Sequence, residues 1–368
     1  MARRILHCIP TLEGGGAERQ LSYLAPELVR LGWDVHVAYI RPGANLDRLN
    51  QSGVTLHQLK RLGAYDPRLL WDMGRLIRQI KPSLIQTWLL QMDVVGGLAA
   101  RFAHLPWILS ERSAPAHYPP SIKRRLHLLF GTTADAVVSN STCGHQYWVE
   151  HAGVGQRQVM IPNGVPFTEI EGKLSQVCDE ISLPPHDHLL IYVGRLTPGK
   201  NVEQLLASLR ELPSRRQWHA VFCGTGPQRA TLDRLVQEYG LAGRVSFLGY
   251  VSTVWQWLRR ADLFVSLSKY EGHPNSVIEA MACGCPIVAS DIPSHRDCLG
   301  SDGGLLVSDL AAASVARAIE YALDSPGDMG SRVRCARERV QHWSLPGIAR
   351  QYQQLYLEML TCTGLRAT

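Results

Sequence analysis

Apolar residues along this chain come in short runs separated by segments with helical spacing, and the alternation repeats from end to end. In the first half RRILHCIP reads as a strand, TLEGGGAER is a glycine loop opening a helix through about Leu31, and DVHVAYI is the next strand. PRLLWDMGRLIRQIK is helical, PSLIQTW a strand, VVGGLAARFAHL helical, PWILSER extended, IKRRLHLLFGTTA helical and DAVVSNS extended. Strand, crossover helix and strand in repetition mean a parallel sheet with helices on both faces. The pattern then restarts: HLLIYVGRL, WHAVFCGTGP, RVSFLGYV, ADLFVSLS and CPIVASD are strands with helical segments between them. Between the halves lies a proline-flanked, weakly patterned stretch near residues 164–187, read as a hinge. The closing segment is an amphipathic helix carrying Ile348, Tyr352, Leu355, Tyr356 and Met359 at helical spacing. The expected fold class is α/β, two doubly wound Rossmann-like domains facing a cleft, with domains over 1–170 and 171–344 and a final helix over 345–368.

Composition narrows the setting. The 368 residues suit two domains, and 45% hydrophobic with 19% charged content fits a globular protein without a membrane-length apolar run. The apolar stretch in MARRILHCIP is too short for a signal peptide, so the chain is expected in the cytoplasm. Nine scattered cysteines, with Cys283 and Cys285 lacking a second pair at metal spacing, read as buried reduced thiols. Residues 1–170 hold 18 Lys+Arg against 12 Asp+Glu and the remainder 20 of each, so the first half carries the whole +6. That asymmetry favours an anionic partner for the first half, a membrane surface or a phosphate-bearing acceptor. Spread-out basic residues without an aromatic-rich RNA signature argue against nucleic acid.

In doubly wound sheets ligands sit beyond the carboxyl ends of the strands, so the loops there hold the candidate chemistry. YVGRLTPGKN places Arg195 and Lys200 five positions apart around a Pro-Gly turn, a pair suited to neutralising a diphosphate leaving group; a solvated surface loop fits the same residues equally well. GGGAER and FCGTGP are glycine turns after strands; neither has the G-x-G-x-x-G spacing of a dinucleotide site, and each alone reads as an ordinary connection. YEGHPNSVIEAMACGCPIVASD holds two glutamates, Glu271 and Glu279, eight positions apart. A helix starting near Asn275 would leave the N–H groups of Asn275, Ser276 and Val277 for an anion, with one carboxylate before the helix and one a turn inside it. Carboxylates accept hydrogen bonds from paired hydroxyls, so the two suit a sugar and a ribose on either side of a phosphate group.

Taken together, GGGAER, VSNST, IPNGVP, GRLTPGKN, FLGYV and EGHPNSVIEAMACGCPIVASD resemble the retaining, sugar-nucleotide-dependent GT-B glycosyltransferases of family four, over nearly the whole chain. The resemblance implies that Arg195 and Lys200 grip the donor diphosphate, that Glu271 binds donor-sugar hydroxyls and that Glu279 binds the ribose. It places the backbone around His273, Pro274, Asn275, Ser276 and Val277 against sugar and phosphate, Tyr250 and Val251 against the base, and Gly15 and Gly16 toward the phosphates. It brings the last helix back onto the first domain and implies no metal and no cofactor beyond the co-substrate, a UDP-sugar. The implied activity is transfer of a hexose or N-acetylhexosamine to a glycan or lipid-linked acceptor in cell-envelope polysaccharide or glycolipid synthesis. Where many relatives carry a strand-end histidine, this chain reads Ser110-Glu111-Arg112 with His117 beyond. Glu111 or Arg112 contacts the donor sugar or acceptor instead, or His117 swings in, or Glu111 and Arg112 are a strand-end ion pair. The basic amphipathic stretch over 118–130 fits a helix with a solvated charged face or, favoured because relatives often use lipid-linked acceptors, peripheral contact with the inner face of the cell membrane. A non-catalytic sugar-nucleotide or glycan-binding protein and a UDP-sugar epimerase on the same fold are the competing readings.

Overall fold

The computed structural model describes residues 3–59, 66, 68–113, 121–172, 188–213, 216–252 and 254–364. Two compact units divide the chain: residues 1–164 with 343–368, and residues 165–342.

The first unit runs β1 (Arg4–Thr11), α1 (Gly16–Arg30), β2 (Asp34–Arg41), α2 (Leu46–Asn50), β3 (Thr55–Gln58), α3 (Arg68–Ile80), β4 (Leu84–Trp88), α4 (Leu89–Phe102), β5 (Trp107–Glu111), α5 (Ile122–Gly131), β6 (Ala136–Ser139), α6 (Thr142–Glu150) and β7 (Arg157–Met160). The second runs α7 (Phe167–Gly172), β8 (His188–Val193), α8 (Val202–Arg210), β9 (Trp218–Cys223), α9 (Arg229–Glu238), β10 (Val245–Gly249), α10 (Val254–Arg260), β11 (Leu263–Ser266), α11 (Asn275–Cys283), β12 (Ile287–Ser290), α12 (Pro293–Leu299), β13 (Leu305–Val307), α13 (Ala312–Asp324) and α14 (Pro326–Gln341). The chain ends in α15 (Leu345–Gly364), which belongs to the first unit.

Both sheets are parallel, ordered β3-β2-β1-β4-β5-β6-β7 and β10-β9-β8-β11-β12-β13. Successive side chains on β1 point to opposite faces, and each face has its own core. Ile5 and Ile9 pack with α1 and α15, whereas Leu6 and Cys8 pack with α3 and α4. Strands covered on both sides are buried at every position, as β4, β5 and β6 are, including the polar Gln86, Thr87, Ser110, Glu111 and Ser139. The strands absent from the apolar pattern are β3, β7 and β13: they are edges, and the first two are half-buried to exposed.

The boundary drawn at 170 from the sequence falls inside α7, which packs on α11 and goes with the second unit. On α15, Ile348, Tyr352, Leu355, Tyr356 and Met359 are all buried in the α1-side core of the first unit. At about 1.5–3 kcal/mol per fully buried large apolar side chain, that stripe alone binds the helix firmly. Cys8, Cys143, Cys223, Cys283, Cys285, Cys298 and Cys335 are free thiols, and all but Cys143 and Cys335 are buried.

One buried polar pair links two helices of the first unit. His127 on α5 hydrogen-bonds Asp93 on α4 (Nε2–Oδ2 3.0 Å) and stands edge-on to Trp148, 5.5 Å between ring centroids. Burial works against the imidazolium, but the hydrogen bond to Asp93 and the charges of Asp93 and Glu111 outweigh it and raise the pKa. A pKa raised in the folded state adds stability that is complete below the unfolded value of about 6.5 and fades as pH climbs through the folded one. Melting temperature should therefore fall more steeply above about pH 6.5 in the wild type than in His127→Gln, which keeps an Nε2-like donor but cannot titrate. Equal slopes would remove the pair from the pH dependence.

Candidate functional site

In the second unit the strand order reverses beside β8: β9 and β10 lie to one side, β11 to β13 to the other. Loops leaving the carboxyl ends of strands diverge at such a point and open a crevice. The two loops that flank it, after β8 and after β11, are those bearing Lys200 and Glu271.

The β8 loop is held by backbone bonds to its neighbours. Gly194 N–H donates to Cys223 O at 3.0 Å, Leu196 N–H to Thr225 O at 2.9 Å, and Gln228 N–H to Leu196 O at 3.1 Å. Gly226 is required here, because a Cβ on it would overlap the Leu196 backbone. The buried Tyr192 hydroxyl donates to Arg195 O at 3.0 Å; burial and the Glu271 charge push this phenol up, so it stays protonated. A 3₁₀ turn over Pro198–Lys200 follows, and Asn201 (φ 57°) redirects the chain into α8. Lys269 N–H reaches Gly199 O at 2.9 Å, joining the β8 and β11 loops directly. A side chain on Gly199 would come within 2.8 Å of the Tyr270 hydroxyl.

That joint brings Lys200 and Glu271 together. The Lys200 ammonium forms an ion pair with Glu271 Oε1, which also accepts from Ser268 Oγ at 2.7 Å. Glu271 is mostly buried and Lys200 more exposed. Arg195 is exposed and makes no ion pair with a described residue, so of the two cations in the loop only Lys200 meets the carboxylate.

The helix after Glu271 starts at Asn275, as the sequence expects, capped by Pro274 without a side-chain bond. Pro274 cannot donate and leaves its carbonyl to take both Val277 N–H (3.1 Å) and Ile278 N–H (3.2 Å). Val277 thus drops out of the three N–H groups expected to face an anion: its amide is drawn into the first turn. His273 and Pro274 are buried, and Asn275 and Ser276 are half-buried. Glu279 is only 3% exposed, a carboxylate embedded in a helix that otherwise builds core. Burial, and after it the Glu279 charge, push the neighbouring Cys283 thiol up to about 12. Tyr250, after β10, presents a ring 65% exposed with Val251 half-buried beside it. Gly249 O accepts from Gly224 N–H at 2.6 Å, so the β9 and β10 loops are also joined.

The first unit has its own reversal, between β1 and β4. Gly15 caps α1 and Gly16 begins it; the Glu18 side chain folds back onto Gly15, so an acidic group already faces that helix tip. Trp88 ends β4, donates to His7 Nδ1 at 3.2 Å and hands over to Leu89, a non-glycine residue at φ 67°. His7 is fully buried, and desolvation lowers its pKa to about 3, leaving it a neutral acceptor.

Glu111 and Arg112 do not pair with each other. Glu111 accepts from Ser113 N–H (3.0 Å), Ser113 Oγ (2.6 Å) and Trp148 Nε1 (3.0 Å), so its carboxylate is consumed inside the unit. Arg112 lies over the Trp88 ring, 5.0 Å from the centroid, and donates to Tyr352 OH (3.2 Å) and Asn163 Oδ1. A small cavity beside it is lined by Gln20, Trp88, Pro162, Leu345 and Tyr352 among others. Gln20 exchanges two hydrogen bonds with Gly164, 3.0 and 2.8 Å. His117 lies outside the described residues. Gln20, Asn163, Tyr352, Ser268 and Ser290 carry no sequence signal of their own, although Asn163 and Gly164 fall within IPNGVP.

Comparisons with known proteins bear on the fold and the family. The family described as Glycosyltransferase Family 4 matches residues 14–169, and the family described as Glycosyl transferases group 1 matches residues 179–340. The chain is 25% identical over 370 residues (97% of this chain, 99% of the relative) to a Campylobacter jejuni GalNAc-alpha-(1->4)-GalNAc-alpha-(1->3)-diNAcBac-PP-undecaprenol alpha-1,4-N-acetyl-D-galactosaminyltransferase. It is 27% identical over 278 residues (75% of each) to the lipopolysaccharide core biosynthesis glycosyltransferase LpsD of Rhizobium meliloti. Among solved structures, Anabaena HepE in complex with UDP and glucose superposes with a TM-score of 0.85 at 20% identity, covering 97% of this chain and 100% of the other. The fold is GT-B.

Gly226→Ala should break the seat of the β8 loop. Overpacking of this kind costs about 1–3 kcal/mol, so amide exchange at Leu196 should run at least about fivefold faster. Unchanged exchange there would show that the β9 loop does not hold the β8 loop.

Proposed function

We propose that the chain, with its two halves matched by glycosyltransferase families and its fold GT-B, is a glycosyltransferase of the family 4 type that builds cell-envelope polysaccharide or glycolipid. In this reading a hexose or N-acetylhexosamine passes from a nucleoside-diphosphate sugar, a uridine one, to a glycan or polyprenyl-linked acceptor, with retention at the anomeric carbon. The relatives named above act in lipopolysaccharide core assembly and on an undecaprenol-linked glycan, and the HepE structures hold UDP with glucose or UDP-glucose, which supports both partner classes. The observation that carries the reading is the Lys200–Glu271 pair at the strand-order reversal of the second unit. A diphosphate entering there takes the open side of the ammonium, which keeps one oxygen of Glu271, and the other carboxylate oxygen meets the sugar hydroxyls.

The remaining residues divide the donor between them. Arg195, Lys200 and the tip of α11 neutralise charge on the departing diphosphate, so the reading requires no metal. Glu279 accepts from the ribose, the backbone over His273–Val277 lies against sugar and phosphate, and the exposed Tyr250 ring with Val251 covers the base. The C1–O bond to the phosphate breaks as the acceptor oxygen bonds C1 on the same face, and the acceptor hydroxyl proton moves to the leaving phosphate oxygen. Arg112, with neutral partners only among the described residues, is a first-unit cation that an anionic acceptor can meet, whereas Glu111 accepts from Ser113 and Trp148.

Membrane contact is proposed through α5. Ile122, Leu126 and Leu129 are 77%, 40% and 62% exposed at helical spacing, with Arg125 exposed on the same helix. Among the described residues no helix is long and apolar enough to cross a membrane, so this contact would be peripheral.

Two measurements test the proposal. Turnover of UDP-sugars, by hydrolysis or transfer, should drop about a hundredfold in Glu271→Gln and in Lys200→Ala, persist in EDTA and give product of unchanged anomeric configuration. Binding of labelled donor without hydrolysis or transfer to any lipid or glycan would identify a binding protein, and C2 epimerisation an epimerase. In flotation, the chain should rise with vesicles containing anionic lipid and Leu129→Glu should weaken this at least about fivefold; equal recovery would sink the α5 contact.

A further inference from the structure

Behind the Lys200–Glu271 pair lies a buried histidine that the proposed chemistry leaves unused. His295, on α12, has no exposed surface. Its Nδ1 is 2.8 Å from Ser290 O and 3.2 Å from Ser290 Oγ. Facing two oxygens, Nδ1 carries the ring proton and donates it. Desolvation lowers the pKa of the ring against the pull of the Ser290 carbonyl and the Glu271 charge, so the imidazole is neutral at pH 7. Its Nε2 is buried without a hydrogen-bond partner among the described residues, so Ser290 is what the ring acts on.

From Ser290 the bonds run one way. Its hydroxyl donates to Ser268 O at 2.6 Å, which turns an oxygen lone pair toward His295. Ser268 Oγ donates to Glu271 Oε1 at 2.7 Å, the oxygen that also takes the Lys200 ammonium. Oε1 is therefore saturated, while no described residue bonds Oε2. Ser290 ends β12 and Ser268 lies two residues past the end of β11, and the two strands are paired in the sheet, so the relay crosses between adjacent strands toward the crevice.

We propose that His295 is a positioning residue for sugar transfer: through Ser290 and Ser268 it holds Oε1 of Glu271 against Lys200 and leaves Oε2 aimed at the sugar hydroxyls. This rests on the reading of Glu271 as the sugar-binding carboxylate. A histidine that merely fills space would be replaced by any side chain of similar volume. One that acts through its Nδ1–H would be replaced only by a side chain with a donor at that place, such as asparagine.

The test uses the full chain with His295→Asn, His295→Leu and Ser290→Ala, in two arms. In the first, with no ligand present, competitive acetylation of Lys200 against Lys269 is followed by mass spectrometry. Lys200 should react about five- to tenfold faster in His295→Leu and Ser290→Ala and at the wild-type rate in His295→Asn, the size expected for losing about one hydrogen bond. In the second, calorimetry compares UDP with UDP-sugar. His295→Leu should lose about tenfold on the UDP-sugar and keep its affinity for UDP. Wild-type labelling in both His295→Leu and Ser290→Ala, or equal effects of asparagine and leucine, overturns the relay. A wild type that does not bind UDP-sugars while the labelling follows expectation overturns the parent reading and leaves the relay standing. Should His295→Leu fail to fold, Ser290→Ala decides both arms.

Discussion

Each unit of this protein depends on the reversal of strand order beside its first strand. Crossovers that start on one side of β8 and finish on the other leave neighbouring loops pointing apart, and the gap between them has no side chains of its own to fill it. Backbone hydrogen bonds then seat the loops against each other, from Gly194 through Leu196 to Gln228 and from Lys269 to Gly199. This is what makes Lys200 and Glu271 neighbours although 71 positions separate them. The same constraint in the first unit joins His7 to Trp88 and sets Arg112 over the indole.

The electrostatics follow from that frame. Glu271 and Glu279 are carboxylates with little exposure to water, a costly arrangement unless each has a partner of opposite charge or good hydrogen bonds. Glu271 is held by an ammonium and a serine hydroxyl on one oxygen. An ion pair that a ligand can enter is preorganised at both ends: the cation is already fixed for a phosphate and the anion for hydroxyls. Glu111 shows the opposite outcome. A carboxylate at a strand end, in the right place for ligand chemistry, accepts on both oxygens from Ser113 and Trp148. Placement near a crevice is therefore not enough; what decides is which bonds remain.

The last helix shows how packing and polar contacts cooperate. The apolar stripe of α15 joins the first unit's core, while Tyr352 meets Arg112 and Tyr356 meets Gln86. Gln86 in turn donates to Ser110 at 2.7 Å, so the helix is tied to β4 and β5 through groups that would otherwise be buried without partners.

The sequence by itself determined the class of fold, because continuous apolar runs alternating with 3.6-periodic segments have few solutions other than a doubly wound sheet. It also located the start of α11, the cation loop after β8 and the carboxylate ahead of the helix, since these are local patterns of residue type and spacing. It missed β3, β7 and β13, as edge strands with water on one side need no apolar run. Only the tertiary structure decided which side chains meet. Lys200 rather than Arg195 pairs with Glu271, Val277 N–H is spent on Pro274, and Glu111 turns away from Arg112. His295, Ser290 and Ser268 join Glu271 only because β11 and β12 lie side by side. Hydrophobic periodicity records which face of an element is buried, whereas hydrogen bonds between loops distant in sequence are set by sheet order and register, for which residue spacing holds no signal.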